Sequence, residues 1–193
     1  PAPAVAVNAQ FAAFAARECA RRNARLVQVS TDYVFGAGGE RAPIPETAPR
    51  TPVNVYGATK ALGEDLARLD HDDVLVVRVA ALFGVAGASG KGGNFVETMV
   101  RFGRERGRLR VVDDQRTVPT FTADAARAIW GLLAAEAPAG VWHVANAGEA
   151  SWCEFARAIV ADAGVAADVD AITTAEFPTP ARRPAYSVLD TSQ

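Results

Sequence analysis

The chain has 193 residues, half of them apolar, and a formal net charge of −2. This length is enough for one sizeable core or for one and a half small domains. The nearly balanced charge does not indicate a nucleic-acid partner, and no apolar run approaches the ~20 residues that a membrane span needs. The first residues lack the basic start of a secretory signal, so we expect a soluble cytoplasmic protein without a membrane partner.

Apolar residues at helical spacing alternate along the chain with short runs of β-branched residues. We predict helices over 4–22, 55–69, 95–106, 122–136 and 151–163, and strands over 25–30, 74–79, 109–112, 140–144 and 169–172. Asn54 and Ser151 are the expected N-caps of the second and fifth helices, and Glu154 completes a capping box with Ser151. Strands that alternate with such helices are typical of βαβ units and a parallel sheet.

The fold class that we predict is α/β, a truncated Rossmann-like parallel sheet with a small C-terminal substrate-binding lobe. The chain opens directly in a helix, and a doubly wound sheet needs more parallel strands than can be counted here. We expect residues 1–84 to form the C-terminal part of the Rossmann-like domain with the catalytic residues. Residues 85–193 should hold the last Rossmann elements and the substrate-binding lobe.

Three polar residues, Ser30, Thr31 and Asp32, follow the first predicted strand directly. Ligands of open α/β sheets bind beyond the carboxyl ends of the strands, so these side chains are well placed to meet a substrate. Capping of a loop is the common role of such residues and remains an alternative when the three are considered alone.

Tyr56 and Lys60 lie four positions apart on one predicted helix, which places both side chains on the same face. A nearby ammonium favours the phenolate of a tyrosine and lowers its pKa, so the pair is a candidate for acid–base chemistry. Of the 20 basic residues only Lys60 and Lys91 are lysines, and the compact ammonium of Lys60 can hold a ribose hydroxyl in a way that a guanidinium cannot imitate. A surface helix pair is the alternative, because this spacing alone is common by chance.

The order of these motifs resembles the extended short-chain dehydrogenases/reductases, and within them the dTDP-4-dehydrorhamnose reductases. A Ser/Thr-bearing strand end is followed by a loop and then by Tyr-x-x-x-Lys. The segments that carry the resemblance are VSTDYVFG over 29–36, VYGATKALGE over 55–64, NFVETM over 94–99, LRVVDDQRTVPT over 109–120, GVWH over 140–143 and RPAYSVLD over 183–190. Together they span nearly the whole chain.

The resemblance implies reduction of dTDP-4-dehydro-L-rhamnose to dTDP-L-rhamnose with NADPH or NADH as cofactor. Under it, Tyr56 is the proton donor, Lys60 tunes that tyrosine and grips the nicotinamide ribose, and Ser30 lies at the cofactor. Thr31 would bind the keto oxygen and Asp32 the sugar. The residues matching positions near the nucleotide-sugar are Asn94, Phe95 and Arg183, although a tail salt bridge is an equal alternative for Arg183. The partner is then a nucleotide-sugar substrate, a homodimer is compatible, and no metal is implied.

Two departures from the family pattern limit these expectations. Ala81 stands where the family usually carries a tryptophan that packs on the sugar, which leaves the sugar open. The dinucleotide-binding GxxGxxG loop would lie before residue 1, so we expect a fragment that lacks the N-terminal half and binds cofactor poorly alone. The glycine-rich stretch 87–93 does not replace it, because its spacing fails the phosphate-loop pattern. We expect a mobile loop there, with Lys91 a solvated charge.

Two other functions remain open from the sequence. Another nucleotide-sugar epimerase or dehydratase is less favoured, because a dehydratase would want a second carboxylate where Tyr33 follows Asp32. A non-catalytic, NADP-binding regulatory subunit, like the beta subunit of methionine adenosyltransferase, fits the loss of tryptophan at Ala81. The intact Thr31, Tyr56 and Lys60 fit catalysis better.

Overall fold

The computed structural model describes residues 1–38, 41–85 and 93–193. The strands are β1 (Leu26–Thr31), β2 (Val74–Val79), β3 (Leu82–Phe83), β4 (Arg108–Val112), β5 (Arg116–Thr117), β6 (Thr120–Phe121), β7 (Gly140–Val144), β8 (Ala150–Ser151) and β9 (Asp168–Ile172). The helices are α1 (Ala2–Val5), a π-helical turn (Ala6–Gln10), α2 (Phe11–Arg21), α3 (Val55–Asp70), α4 (Phe95–Arg106), α5 (Thr122–Ala134) and α6 (Trp152–Asp162), with 3-10 turns at Asp32–Val34 and Thr174–Glu176.

The main sheet consists of β1, β2 and β7, paired in parallel in that order. Every residue of β2 is buried, as its continuous β-branched sequence predicts for a strand covered on both faces. The register sets Thr31 of β1 opposite Val79 of β2, so both strands end at the same edge. The parallel order and the helices between the strands confirm the predicted α/β class.

Helices cover both faces of this sheet. Alanines of α2 and α3 pack against Val74 and Val76 on one face, and α5 packs against Leu75 and Val77 on the other. The close approach of α3 to the first helix depends on Gly63, where a Cβ would lie 2.1 Å from the carbonyl oxygen of Asn8. The side-chain amide of Asn8 adds a hydrogen bond of 3.0 Å to the Thr59 hydroxyl.

The smaller C-terminal lobe contains the parallel pair β4 and β9 with α4 and α6 packed on it. Its core is a separate apolar cluster that includes Met99, Leu109, Cys153 and Ile159. The pairs β3–β6 and β5–β8 lie in the segments that connect this lobe with the main sheet. The expectation of a small C-terminal lobe is confirmed.

All five helices and five strands of the sequence prediction are present, with shifted ends. The first helix contains a π-helical turn that its sequence did not indicate, and four two-residue strands were missed because they are too short to show a period. Ser151 and Glu154 form the predicted capping box. Cys153 is buried, whereas Cys19 is partly exposed.

Over the described ranges, no helix combines the length and the apolar character needed to cross a membrane.

Candidate functional site

A cavity of about 890 Å³ opens at the carboxyl ends of β1 and β2. Six of the eight site residues predicted from the sequence line it: Ser30, Thr31, Asp32, Tyr56, Lys60 and Arg183. Crevices at this edge of parallel sheets are the usual ligand sites of open α/β folds. The fold therefore brings the strand end, the Tyr56 helix and the C-terminal tail to one place.

The start of α3 sets the position of Tyr56. The Asn54 side chain accepts a hydrogen bond of 2.8 Å from the backbone N–H of Gly57, which begins the helix as predicted. A Cβ at Gly57 would lie 2.0 Å from the carbonyl oxygen of Tyr33, so only glycine permits this approach. The ring of Tyr56 then meets the ring of Tyr33 edge to face, with centroids 5.9 Å apart.

The pKa of Tyr56 is raised above the usual value for tyrosine. Burial is the main cause, hydrogen bonding with Thr31 opposes it, and the negative charge of Asp32 reinforces it. This differs from the expectation that a lysine would lower the pKa, because burial outweighs other influences in the protein alone. The phenol is therefore held in its protonated form, as a proton donor requires.

Lys60 does not bind the phenol directly. Its ammonium donates a hydrogen bond of 2.6 Å to the backbone carbonyl of Val29. Burial lowers the pKa of Lys60, and the negative charge of Glu64 opposes that lowering. The helix thus places Lys60 against β1, one turn beyond Tyr56.

Ser30 lines the cavity, but its hydroxyl already forms a hydrogen bond within the protein. It donates a short hydrogen bond to the buried carboxylate of Glu64, which also receives two hydrogen bonds from Arg78, at 3.0 and 2.8 Å. Arg50 adds a third cation contact at 3.2 Å to Glu64. Residues of β1, β2, α3 and the preceding loop are therefore joined beneath the cavity floor.

Asp32 is a buried carboxyl held by three hydroxyl groups. Ser187 donates to it at 2.5 Å, Thr31 at 3.0 Å and Thr117 at 3.5 Å. Burial raises the pKa of Asp32 to about 6, and the hydrogen bonds from Ser187, Thr31 and Thr117 only partly offset that effect. Asp32 thus connects the end of β1 with β5 and the C-terminal tail.

A second, smaller cavity of about 120 Å³ adjoins the first, since Gln115, Trp152 and Arg183 line both. Phe95 lies in this second cavity and packs on Trp152 with ring centroids 4.8 Å apart. Asn94 lies on the wall of neither cavity among the described residues. Its side chain caps α4 and donates 2.7 Å to the Gly84 carbonyl.

Ala81, at the expected tryptophan position, lines the larger cavity with a positive φ of 39°. This conformation is unusual for a residue with a Cβ. Residues 86–92, which hold most of the glycine-rich stretch and Lys91, lie outside the described residues.

Several residues of the site were not assigned by sequence reasoning: Gln115, Thr117, Trp152 and Ser187. Gln115 and Thr117 lie in the LRVVDDQRTVPT segment, and Ser187 lies in the RPAYSVLD segment. Both segments carry the family resemblance, which could have indicated that these residues belong to the site. Within the ranges described, no cluster of three or more potential metal ligands occurs.

Comparisons with known proteins identify a family. The family model for the RmlD substrate binding domain matches residues 1–193. The chain is 39% identical over 196 residues to the dTDP-4-dehydrorhamnose reductase of Mycobacterium tuberculosis, covering all of this chain and 63% of that protein. It is 40% identical over 183 residues to the spore coat polysaccharide biosynthesis protein SpsK of Bacillus subtilis, with 95% and 62% covered.

Among solved structures, the chain resembles dTDP-4-dehydrorhamnose reductase from Bacillus anthracis in complex with NADP. The TM-score is 0.89 at 37% identity, over 96% of this chain and 63% of that one. The chain therefore spans a little under two thirds of the length of the relatives that it matches. The match over its whole length shows that the chain belongs to the RmlD substrate-binding domain family.

Proposed function

We propose that this chain supplies the substrate-binding and proton-donating part of a dTDP-4-dehydrorhamnose reductase. The observation that carries the proposal is the meeting of Thr31, Tyr56 and Lys60 in one cavity at the carboxyl edge of the sheet. The reductase relatives and the NADP-bound neighbour support it. The reaction is reduction of the 4-keto group of dTDP-4-dehydro-L-rhamnose to give dTDP-L-rhamnose.

Thr31 and Tyr56 are the residues that act on the carbonyl in this proposal. Both carry hydroxyl groups, and both residues line the cavity. A carbonyl oxygen that gains negative charge is stabilised by hydrogen-bond donors, and the protonated phenol of Tyr56 delivers the proton. The one hydroxyl proton of Thr31, which the free protein donates to Asp32, turns to the keto oxygen when the substrate binds. Asp32 orients Thr31 and borders the sugar.

The wall formed by Tyr56, Lys60 and Ser30 fits the nicotinamide end of a cofactor. Lys60 has three N–H donors, of which the Val29 carbonyl takes one, and a ribose hydroxyl is a suitable acceptor. NADPH, when bound, supplies the hydride. Ser30 serves this wall through Glu64, because its hydroxyl is already hydrogen-bonded there.

The nucleotide end of the substrate fits the boundary between the two cavities. Arg183 lines both and offers a guanidinium that can fork to diphosphate oxygens. Trp152, Phe95 and Phe177 give the second cavity an aromatic wall on which a base can pack. Asn94 contributes through its cap of α4, which begins at Phe95.

The proposal is tested in a chimera in which this chain replaces the matching segment of the M. tuberculosis reductase. We expect NADPH oxidation that depends on the dTDP-4-keto-sugar, and we expect Tyr56→Phe to reduce kcat about a thousandfold through loss of the proton donor. Tyr186→Phe is the matched control, since its hydroxyl binds Glu149 rather than facing either cavity. A folded chimera that turns over equally well with Tyr56→Phe would refute the assignment.

The same assay distinguishes a reductase from the two alternative functions. A chimera that binds NADP tightly and shows no turnover would favour a non-catalytic subunit. Release of water from a dTDP-hexose without net reduction would favour a dehydratase.

A further inference from the structure

Glu64 is a buried charge that the proposed chemistry does not use directly. It lies on α3 one helical turn beyond Lys60 and is 2% exposed. Its carboxylate is reached from three other parts of the fold, by Ser30 of β1, Arg78 of β2 and Arg50 of the loop before α3. A carboxylate shared in this way fixes the relative positions of the elements that form the cavity floor.

Stability alone is a poor explanation for such a group. A buried ion pair is often no more stabilising than apolar side chains of similar volume, because the loss of hydration offsets the attraction. Arg78 is also buried, with a side chain 4% exposed. The network is better explained by what it does to the neighbouring cavity wall.

The charges around Lys60 define that effect. The negative groups are Glu64 and the more exposed Asp65 on the same helix, and Asp32 at the end of β1. The positive groups are Arg78 of β2, Arg50 of the loop before α3 and Arg183 of the C-terminal tail. Without the carboxylate, the buried Arg78 guanidinium would lose its ion pair, whereas Arg50 would keep its contact with Asp65. Glu64 binds both and stands on the Lys60 side of the network.

We propose that Glu64 is a positioning residue that keeps the half-buried Lys60 ammonium charged and fixes the Val29–Ser30 strand end against which it binds. The inference rests on the proposed function, in which the charged Lys60 serves the nicotinamide ribose and Tyr56. The contacts carry it: Ser30 is bonded to Glu64, and the adjacent Val29 carbonyl receives Lys60. The charge of Glu64 also raises the pKa of Lys60 against the lowering caused by burial.

The composition of the chain permits a direct test, because Lys60 and Lys91 are its only lysines. Reductive methylation with 13C-formaldehyde labels the two lysines and the terminal amine, and Lys60→Arg identifies the signal of Lys60. We expect Glu64→Gln to raise the acid dissociation constant of Lys60 about tenfold, from loss of a unit charge one turn away, and to leave Lys91 unchanged.

Asp65→Asn is the matched control, since it removes a carboxylate from the next position of α3 that binds the same Arg50. It should leave the titration of Lys60 unchanged. If Glu64→Gln does not fold, Glu64→Gln combined with Arg78→Gln removes the uncompensated guanidinium, and a smaller shift in the same direction is expected because a positive charge is lost with the negative one. A Lys60 titration that is the same in folded Glu64 variants as in the parent protein would overturn the proposal.

The titration needs no turnover, so its failure is distinguishable from failure of the proposed function. In the chimera, Glu64→Gln should shift the alkaline limb of the kcat/KM profile to lower pH, an effect that a merely structural role would not produce. An inactive chimera with an intact Glu64 effect on Lys60 would count against the reductase and not against this charge coupling.

Discussion

The edge of the main sheet and the small lobe border two adjoining cavities, but they are built from different interactions. At the sheet edge, buried polar contacts hold the side chains, such as Asp32 to Ser187 and Arg78 to Glu64. In the lobe, the wall is aromatic, with Phe95 on Trp152, and its ion pairs lie near the surface.

This difference suggests a division of labour. Proton transfer requires donors held in a fixed geometry, which buried hydrogen bonds supply. Recognition of a nucleotide requires apolar area and a few cationic groups, which the lobe and the tail supply. Matched substitutions in the two regions should therefore differ in their effects.

Replacing the arginine of an ion pair should lower the free energy of unfolding in one region and leave it unchanged in the other. Arg78→Met leaves the Glu64 carboxylate buried without its main partner and should lower the free energy of unfolding by about 3 to 5 kcal/mol. Arg108→Met removes an exposed partner of Asp170 and should produce no measurable change. Urea unfolding of both variants at neutral pH gives the comparison, and equal losses would show that burial does not separate the two regions.

Carboxyl groups should also respond to pH in opposite directions. The pKa of Asp32 is raised to about 6 by burial, so the stability linked to this group is present at low pH and is lost as pH rises through 6. Because the usual pKa of an aspartate is 3.8, the stability lost between pH 3.8 and about pH 6 is about 3 kcal/mol. In the lobe, the pKa of Glu154 is lowered by its hydrogen bond from the backbone N–H of Ser151, so its contribution is lost as pH falls.

Asp32→Asn isolates the sheet-edge group. The free energy of unfolding, measured between pH 4 and 8, should rise for the variant relative to the parent protein as pH rises. A difference between the two proteins that does not change with pH would mean that Asp32 titrates normally.

Replacing glycines inside helices should give the smallest difference in stability between the two regions. Gly57→Ala places a Cβ 2.0 Å from the backbone oxygen of Tyr33, which cannot move alone, and should cost about 2 kcal/mol of stability. At Gly103 of the lobe the nearest atom, at 2.9 Å, is a side-chain methyl of Val165. There the gain in helix propensity offsets the crowding, so we expect Gly103→Ala to change stability by less than about 1 kcal/mol. Thermal unfolding of both variants measures this, and a Gly103→Ala loss as large as that of Gly57→Ala would contradict it.

The long elements were readable from the sequence because six or more residues repeat a pattern. The run over Val74–Val79 and the helix with Tyr56 and Lys60 are examples, and the chemistry of Thr31 followed from its place at a strand end. Local signals also sufficed for the capping box of Ser151.

The remainder depends on contacts between distant parts of the chain. Asp32 meets Thr117 and Ser187, which are 85 and 155 positions away, and no local pattern pairs them. The raised pKa of Tyr56 comes mainly from partial burial, which appears only when the chain has folded around the cavity. The role of Gly57 depends likewise on the position of the Tyr33 carbonyl.

The most direct test of the division between chemistry and recognition is steady-state kinetics of Thr31→Val and Trp152→Ala in the reductase chimera. Thr31→Val should lower kcat about a hundredfold and leave KM nearly unchanged, because it removes a donor to the reacting oxygen. Trp152→Ala should raise KM for the dTDP-sugar about tenfold with little change in kcat. A Trp152→Ala variant that loses kcat as severely as Thr31→Val would contradict the account.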